Sequence, residues 1–188
     1  MCRHVTRRRL LAGTAAVAVG VAGCVGDADD QQHPERVDID GTETCEVCGM
    51  VIAGSFGPNG QTAFDGPHPD EEATFAYYDS TRELYSDRLL QADRGTDPLV
   101  TYVTDYARTD YEIVPEDGRR YISGSVDAET FVGDSEAVYV VESGVHGAMG
   151  SELIPFSEPD AAEGFAESEG GRIIDAADVT RELIQALR

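Results

Sequence analysis

The sequence predicts an α+β fold in which two small ββαβ-type lobes form one compact body. Stretches rich in β-branched and aromatic residues alternate with amphipathic helical segments, in the same order in both halves. The two main predicted helices each have a recognisable start or stop signal. The chain after its leader is long enough for one ordinary domain or for two small lobes that share a core.

The first lobe, about residues 44–106, is predicted to begin with strands at residues 51–56 and 61–65, joined by a turn. A loop at residues 66–72 and a strand at 74–78 follow. Ser80 and Glu83 have the spacing of a capping box, which predicts a helix that starts there and continues to about Gln91. A strand rich in valine and tyrosine completes the lobe at residues 99–106.

The second lobe, about residues 107–188, repeats this order. Strands are predicted at residues 137–142 and 153–156, and a helix begins at Pro159. Gly170 and Gly171 end that helix, because glycine readily adopts the left-handed backbone of a helix end. A strand at residues 172–175 follows, and an amphipathic helix closes the chain.

Residues 1–23 have the pattern of an export signal. Four arginines precede an apolar stretch from Leu10 to Ala22, which is shorter than the roughly 20 residues that span a bilayer. Arg7-Arg8-Arg9 followed by leucines is typical of twin-arginine export, and residues 21–24 resemble a lipobox. We predict lipidation of Cys24, a flexible acidic tether over residues 24–43, and anchoring on the outer face of the cytoplasmic membrane. A plain secretory signal is the alternative.

The charge of the chain is strongly negative. It has 14 arginines, no lysine and 36 acidic residues, and without the four leader arginines 10 basic residues face 36 acidic ones, a formal charge of −26. This charge argues against nucleic acid as a partner. Since such charges repel in dilute buffer and are screened in high salt, we interpret them as halophilic adaptation.

The stretch CEVCGM places Cys45, Cys48 and Met50 within six positions. Met149 lies on a predicted loop next to Gly150. Thiolate and thioether groups are soft ligands that select Cu(I) over hard cations, and Gly49 permits the bend that turns both side chains toward one point. A soft-metal site is therefore one interpretation.

Three other interpretations of the two cysteines remain open from the residues alone. The exported location permits a disulfide. A thioredoxin-like redox pair requires a helix that begins at the first cysteine, whereas a β-branched run follows here. A zinc site requires four ligands, and His33, His68 and His146 show no paired spacing.

The segments CEVCGM, FAYYDSTRELY, TYVTDY and AMGSELIPFSEPDAAEGFAESEGGRIID, in this order, resemble the NosL family of copper-binding lipoproteins of nitrous oxide reductase assembly. The resemblance covers about residues 44–176. It implies two ββαβ lobes, distantly similar to organomercurial lyase. It also implies Cu(I) bound by Cys48, Met50 and Met149, with Cys45 and His146 as further candidates; a solvent-facing loop position is the other interpretation of His146.

We therefore predict a metallochaperone, not an enzyme, that delivers Cu(I) to nitrous oxide reductase or a similar extracytoplasmic copper enzyme. A membrane copper-loading transporter complex is a further candidate partner. The alternative is an exported thiol-disulfide oxidoreductase, which would have a helix starting at Cys45 and no need of Met50 or Met149. Asp79 and Asp105 are predicted to be helix-cap and core residues.

Overall fold

The structure, a computed structural model, describes residues 33–64 and 74–187. The predicted leader, Cys24 and the predicted loop at residues 66–72 lie outside these ranges. The strands are β1 (Gly60–Phe64), β2 (Ala76–Tyr78), β3 (Pro98–Thr104), β4 (Ile113–Glu116), β5 (Arg119–Ile122), β6 (Phe131–Gly133), β7 (Val138–Gly147), β8 (Gly150–Phe156) and β9 (Arg172–Asp175). The α-helices are α1 (Thr81–Asp93), α2 (Pro159–Glu169) and α3 (Arg181–Ala186).

The strands form two sheets, and each contains the predicted ββαβ order. The first sheet has the strand order β2-β1-β3-β6, and the second has the order β4-β5-β7-β8 with β9 also paired to β7. The units β1-β2-α1-β3 and β7-β8-α2-β9 confirm the α+β class. Because β6 comes from the second half of the chain yet pairs with β3, the two sheets do not divide at residue 106.

The second sheet packs on both of its faces, because successive side chains of a strand point in opposite directions. Tyr139 and Val141 of β7 belong to one apolar cluster, which includes Leu84 of α1. Val140, between them, belongs to a second cluster, which includes Phe165 of α2. β7 therefore lies between the two halves of the core.

The two longer helices begin and end at the predicted signals. The Ser80 hydroxyl accepts a hydrogen bond from the Glu83 backbone N–H at 3.3 Å, as expected of a helix N-cap. Helix α2 ends at Gly170, whose φ is +78°. Among the described residues, no helix combines the length and apolarity needed to cross a bilayer.

The predicted strand at residues 51–56 is wrong. The backbone there makes only isolated bridges, at Val51 and Phe56. The Ser55 N–H donates instead to the carbonyl of Ile52, and Gly54 between them has a φ of +81°. This turn prevents an extended strand, because strand residues need negative φ. Strands β4, β5 and β6 were not predicted.

The body of the protein begins before Cys45. Ile39, within the segment predicted as tether, is 2% exposed, and its N–H donates to the carbonyl of Val126 at 2.8 Å. The Gln61 side chain donates to the carbonyl of Val37. Residues 37–39 therefore lie against the folded domain, and any free tether is shorter than the predicted one.

Candidate metal centre

Cys45 and Cys48 lie on a single tight turn. The Gly49 N–H donates to the Cys45 carbonyl, and the Cys45 N–H donates to the Met50 carbonyl, both at 2.8 Å. Gly49 has a φ of +73°, a conformation that favours glycine. The Glu46 N–H donates to the carbonyl of Tyr77, which ties the turn to β2. The turn is therefore fixed to the first sheet.

The other side of the centre comes from the end of β2 and the start of α1. Asp79 follows β2 directly, Ser80 caps the helix, and Glu83 lies in the first turn. Asp79 precedes the helix cap, and one of its carboxylate oxygens lies within 4.8 Å of one of Glu83. Both are buried.

Each thiol faces one of these carboxylates. The Cys45 thiol donates to the Glu83 carboxylate at 3.1 Å, and the Cys48 thiol donates to the Asp79 carboxylate at 3.3 Å. One ligand atom from each of the four residues lies within 4.8 Å of the others. We call Cys45, Cys48, Asp79 and Glu83 the thiol–carboxylate cluster. Cys45 is 2% exposed, and Cys48 is half-buried.

The electrostatics of the cluster hold both thiols protonated in the absence of a metal. Burial raises the pKa of Cys45, and the carboxylate of Glu83 raises it further. Burial also raises the pKa of Cys48, with Asp79 acting in the same direction. The pKa of Glu83 is raised by burial, and the neighbouring charge of Asp79 adds to this. These surroundings disfavour both thiolates, and a bound cation would favour them.

The cluster fits a metal ion on two grounds. The buried Asp79 Oδ1 has no hydrogen-bond partner, which leaves one acceptor unsatisfied. The two sulfur atoms are donors that suit Cu(I) or Zn²⁺, and a cation would offset the carboxylate charges that raise the thiol pKa values. The donors therefore suit a thiophilic cation.

The two candidate methionines come from different turns of the fold. Met50 ends the cysteine turn, and its side chain is exposed. Met149 lies in the two-residue turn between β7 and β8, as predicted. Its carbonyl accepts a hydrogen bond from the Arg82 guanidinium at 2.6 Å. Because Arg82 precedes Glu83, the Met149 turn contacts the helical turn that carries the cluster.

His146 does not lie on a solvent-facing loop, so that interpretation is wrong. It lies on β7, half-buried, with its ring 5.9 Å from the ring of Tyr121. Its Nδ1 is buried without a hydrogen-bond partner. Within the described part of the chain, it does not belong to the group of metal-ligating side chains around Cys48.

The sequence prediction missed the two carboxylates of the cluster. It interpreted Asp79 as a helix cap or core residue, and Glu83 as the second half of a capping box. Ser80 does cap α1, but the Glu83 carboxylate accepts from the Cys45 thiol. The sequence shows only two acidic residues four positions apart at the start of a predicted helix, a common pattern that does not mark a metal site. Asp105 is a buried core residue, as predicted, but it is not the cap of α1, α2 or α3; its carboxylate accepts from the N–H groups of Ala107 and Ser157.

A pocket borders the cluster. Its volume is about 260 Å³, and it is lined by Val47, Arg82, Glu83, Ser86 and Ile184. Val47 belongs to the cysteine turn and is 49% exposed. One side of the cluster is thus open to an approaching group.

The known proteins that this chain resembles are described as copper-binding lipoproteins or as a copper chaperone. A model of the NosL family matches residues 36–184. The chain is 32% identical over 180 residues to the copper-binding lipoprotein NosL of Stutzerimonas stutzeri, covering 94% of this chain and 84% of that protein. It is 38% identical over 55 residues to the copper-binding lipoprotein NosL of Achromobacter cycloclastes, covering 29% and 28%. The crystal structure of the copper chaperone NosL from Shewanella denitrificans matches with a TM-score of 0.61 and 27% identity, covering 79% of this chain and 98% of that one.

Proposed function

The chain belongs to the NosL family, and on this premise we propose that it is an exported, lipid-anchored carrier of Cu(I) and not an enzyme. The observation that supports this most is the thiol–carboxylate cluster, in which two thiols and two carboxylates lie within 4.8 Å of one another beside an exposed methionine. The proposed recipient is nitrous oxide reductase or a similar extracytoplasmic copper enzyme. A membrane copper-loading transporter complex is the proposed further partner.

A carrier must hold its metal firmly and still release it to a client. In the proposed site, Cys48 supplies a thiolate, and Met50 and Met149 supply neutral thioethers, with Cys45 as an additional sulfur ligand. Thioethers bind Cu(I) without a charge change, and Met50 is exposed, so an incoming client ligand can replace it first. His146 is the weakest candidate, because it lies outside the cluster.

The methionine ligands are tested by replacing each with leucine. Leucine preserves size and apolarity, so the free energy of unfolding should change by less than about 1.5 kcal/mol. We expect Met50→Leu and Met149→Leu each to lower Cu(I) affinity by about tenfold, and the double variant to deviate from additivity, because ligands of one ion are coupled. The measurement is a competition titration with a chromogenic Cu(I) chelator under reducing conditions.

Val51→Ala is the matched control for Met50→Leu, since Val51 is also exposed on this segment but contains no sulfur. Its Cu(I) affinity should equal that of the wild type. If both leucine variants bind as the wild type does, while Cys45→Ser and Cys48→Ser each abolish binding, the site is a dithiol. Zinc binding or thiol-disulfide exchange would then be the better proposal.

The oxidoreductase alternative is less well supported by the geometry. Cys45 begins a single turn and not a helix. The pKa values of both thiols are raised, whereas a reactive redox cysteine needs a lowered one. These two observations favour metal carriage over thiol-disulfide exchange.

We propose that Cys24 bears the lipid anchor, on the basis of the lipobox pattern and of relatives described as lipoproteins. The intact mass of the mature protein, extracted from membranes, would test this. A mature chain that begins elsewhere and partitions into the aqueous phase would contradict it.

We also propose that the acidic charge is an adaptation to high salt. The Debye length falls from about 30 Å at 0.01 M to about 3 Å at 1 M salt, so repulsion among surface carboxylates should weaken strongly. We expect the thermal midpoint of unfolding to rise by at least about 5 °C between dilute buffer and molar potassium chloride, roughly 2 kcal/mol for a domain of this size. An unchanged midpoint in differential scanning calorimetry would contradict the adaptation.

A further inference from the structure

The guanidinium of Arg82 joins three parts of the protein. It donates through Nη2 to the Met149 carbonyl at 2.6 Å and through Nη1 to the Leu187 carbonyl at 3.1 Å. The first contact reaches the turn between β7 and β8, and the second reaches the residue after α3. Since Arg82 lies on α1 beside Glu83, this one side chain connects the Met149 turn to the helical turn of the cluster.

The backbone of Arg82 is also held by a hydrogen bond. The carboxylate of Glu152, which is 2% exposed, accepts from the Arg82 N–H at 3.1 Å. The hydroxyls of Ser80 and Thr81 donate to the same carboxylate. Glu152 lies on β8, three residues after Met149. The start of α1 is thus held from the same hairpin that carries Met149.

The end of β7 that leads into the Met149 turn packs closely against other parts of the chain. A Cβ at Gly147 would overlap both the Gly57 carbonyl oxygen and the side chain of Glu152. This close approach shows that the end of β7 packs directly against residues of the first half of the chain. In the turn beyond Gly147, the direct bond from Arg82 is to the carbonyl of Met149.

An arginine suits this role better than a lysine. Its planar guanidinium offers several donors in a fixed arrangement, so it can bind two carbonyls at once and fix their separation. A lysine ammonium is a single flexible point charge. The bonds of Arg82 to two carbonyls from distant parts of the chain are therefore a geometric constraint on the Met149 turn.

We propose that Arg82 is a positioning residue, which holds the Met149 turn at the cluster so that the Met149 thioether reaches the metal bound by Cys48. This inference rests on the proposed function, since it takes Met149 as a ligand. Arg82 itself does not touch the ion. Its effect on copper binding should pass entirely through Met149.

The test is a double-mutant cycle between Arg82→Gln and Met149→Leu, measured by Cu(I) competition titration. Arg82→Gln should lower Cu(I) affinity about tenfold, within the range seen when a residue that orients a ligand is removed. In the Arg82→Gln background, Met149→Leu should then have less than about a twofold further effect, because the thioether is already displaced. Arg82→Lys should recover only part of the loss.

Arg181→Gln is the matched control. Its guanidinium donates to the Leu89 carbonyl and to Asp93, so it also joins α1 to a neighbouring helix, but at the far end of α1 from the cluster. Its Cu(I) affinity should match that of the wild type. A second readout is independent of stability: X-ray absorption should count one sulfur fewer around copper in Arg82→Gln, as in Met149→Leu.

The outcomes separate this inference from the proposed function. If Met149→Leu is neutral in the wild type, Met149 is not a ligand, and the ligand set and this inference fail together. If Met149→Leu lowers affinity equally with and without Arg82, the ligand set stands and the positioning role is overturned. An unchanged sulfur count in a folded Arg82→Gln or Arg82→Lys variant would also overturn it.

Discussion

Replacement of Cys48 by serine should lower the affinity for Cu(I) by at least about 100-fold, or roughly 3 kcal/mol. Cys48 is the half-buried thiol of the cluster, and its Sγ lies 3.3 Å from the Asp79 carboxylate. A serine hydroxyl can still donate to Asp79, so the fold should survive. It is a hard oxygen donor that stays protonated, however, and cannot supply the soft anionic ligand that Cu(I) prefers.

Cys45→Ser is the matched variant for this measurement. In the wild type, Cys45 is 2% exposed and its thiol donates to Glu83. A serine hydroxyl would be a hydrogen-bond donor in the same surroundings. We expect a smaller loss of affinity, about tenfold, because Cys45 is proposed only as an additional ligand. Equal losses in the two variants would make both cysteines essential ligands. Wild-type affinity in a folded Cys48→Ser protein would exclude Cys48 and with it the proposed site.

The parts of the fold that the sequence predicts well are those with local signals. Helix α1 begins at the Ser80 cap, and α2 ends at Gly170, because a few neighbouring residues determine each boundary. Strands β4 and β5 have no such signal: β4 contains Pro115, and half of β5 is arginine. These strands form because they pair with and pack against neighbouring strands, and the same holds for the pairing of β6 with β3.

The same limit applies to the candidate site. The cysteine turn is visible in the sequence because its residues are adjacent. The carboxylates lie 31 positions from Cys48, at Asp79, and 38 from Cys45, at Glu83. The cysteine turn is tied to β2 by the bond from the Glu46 N–H to the carbonyl of Tyr77. No local pattern encodes that contact.

Asp79 also shows that residue type alone does not identify a member of the candidate metal site. An aspartate between a strand and a helix is usually a cap, and the adjacent Ser80 does cap α1. What distinguishes Asp79 is that it is fully buried with one oxygen unsatisfied. Burial of that kind comes from tertiary packing, so the sequence could not reveal it.

Glu152→Gln should change how the stability of the copper-free protein depends on pH. Burial raises the pKa of Glu152 from its ordinary value of 4.5 to about 7, although the bonds from Ser80 and Arg82 act in the opposite direction. Arg82 and Tyr106 are the other ionisable groups that interact with it. Between pH 4.5 and about 7, Glu152 is therefore protonated in the native state and ionised in the unfolded chain.

The sign of the effect follows from this difference in proton binding. Wherever the native state binds more protons, stability falls as pH rises. The contribution of neutral Glu152 is complete below pH 4.5, where the carboxyl is protonated in both states, and is lost as pH rises through about 7. Each unit of pKa difference corresponds to 1.36 kcal/mol, so the loss is about 3 kcal/mol.

Glutamine cannot ionise, so the free energy of unfolding of Glu152→Gln relative to wild type should rise by about 3 kcal/mol between pH 4.5 and pH 8. Urea unfolding at constant high salt across this range measures it. Glu83, whose pKa is also raised by burial, titrates in both proteins and cancels in the difference. If the two proteins show parallel pH profiles, Glu152 is ionised throughout, and the start of α1 is held by a permanent carboxylate charge instead of a neutral carboxyl group.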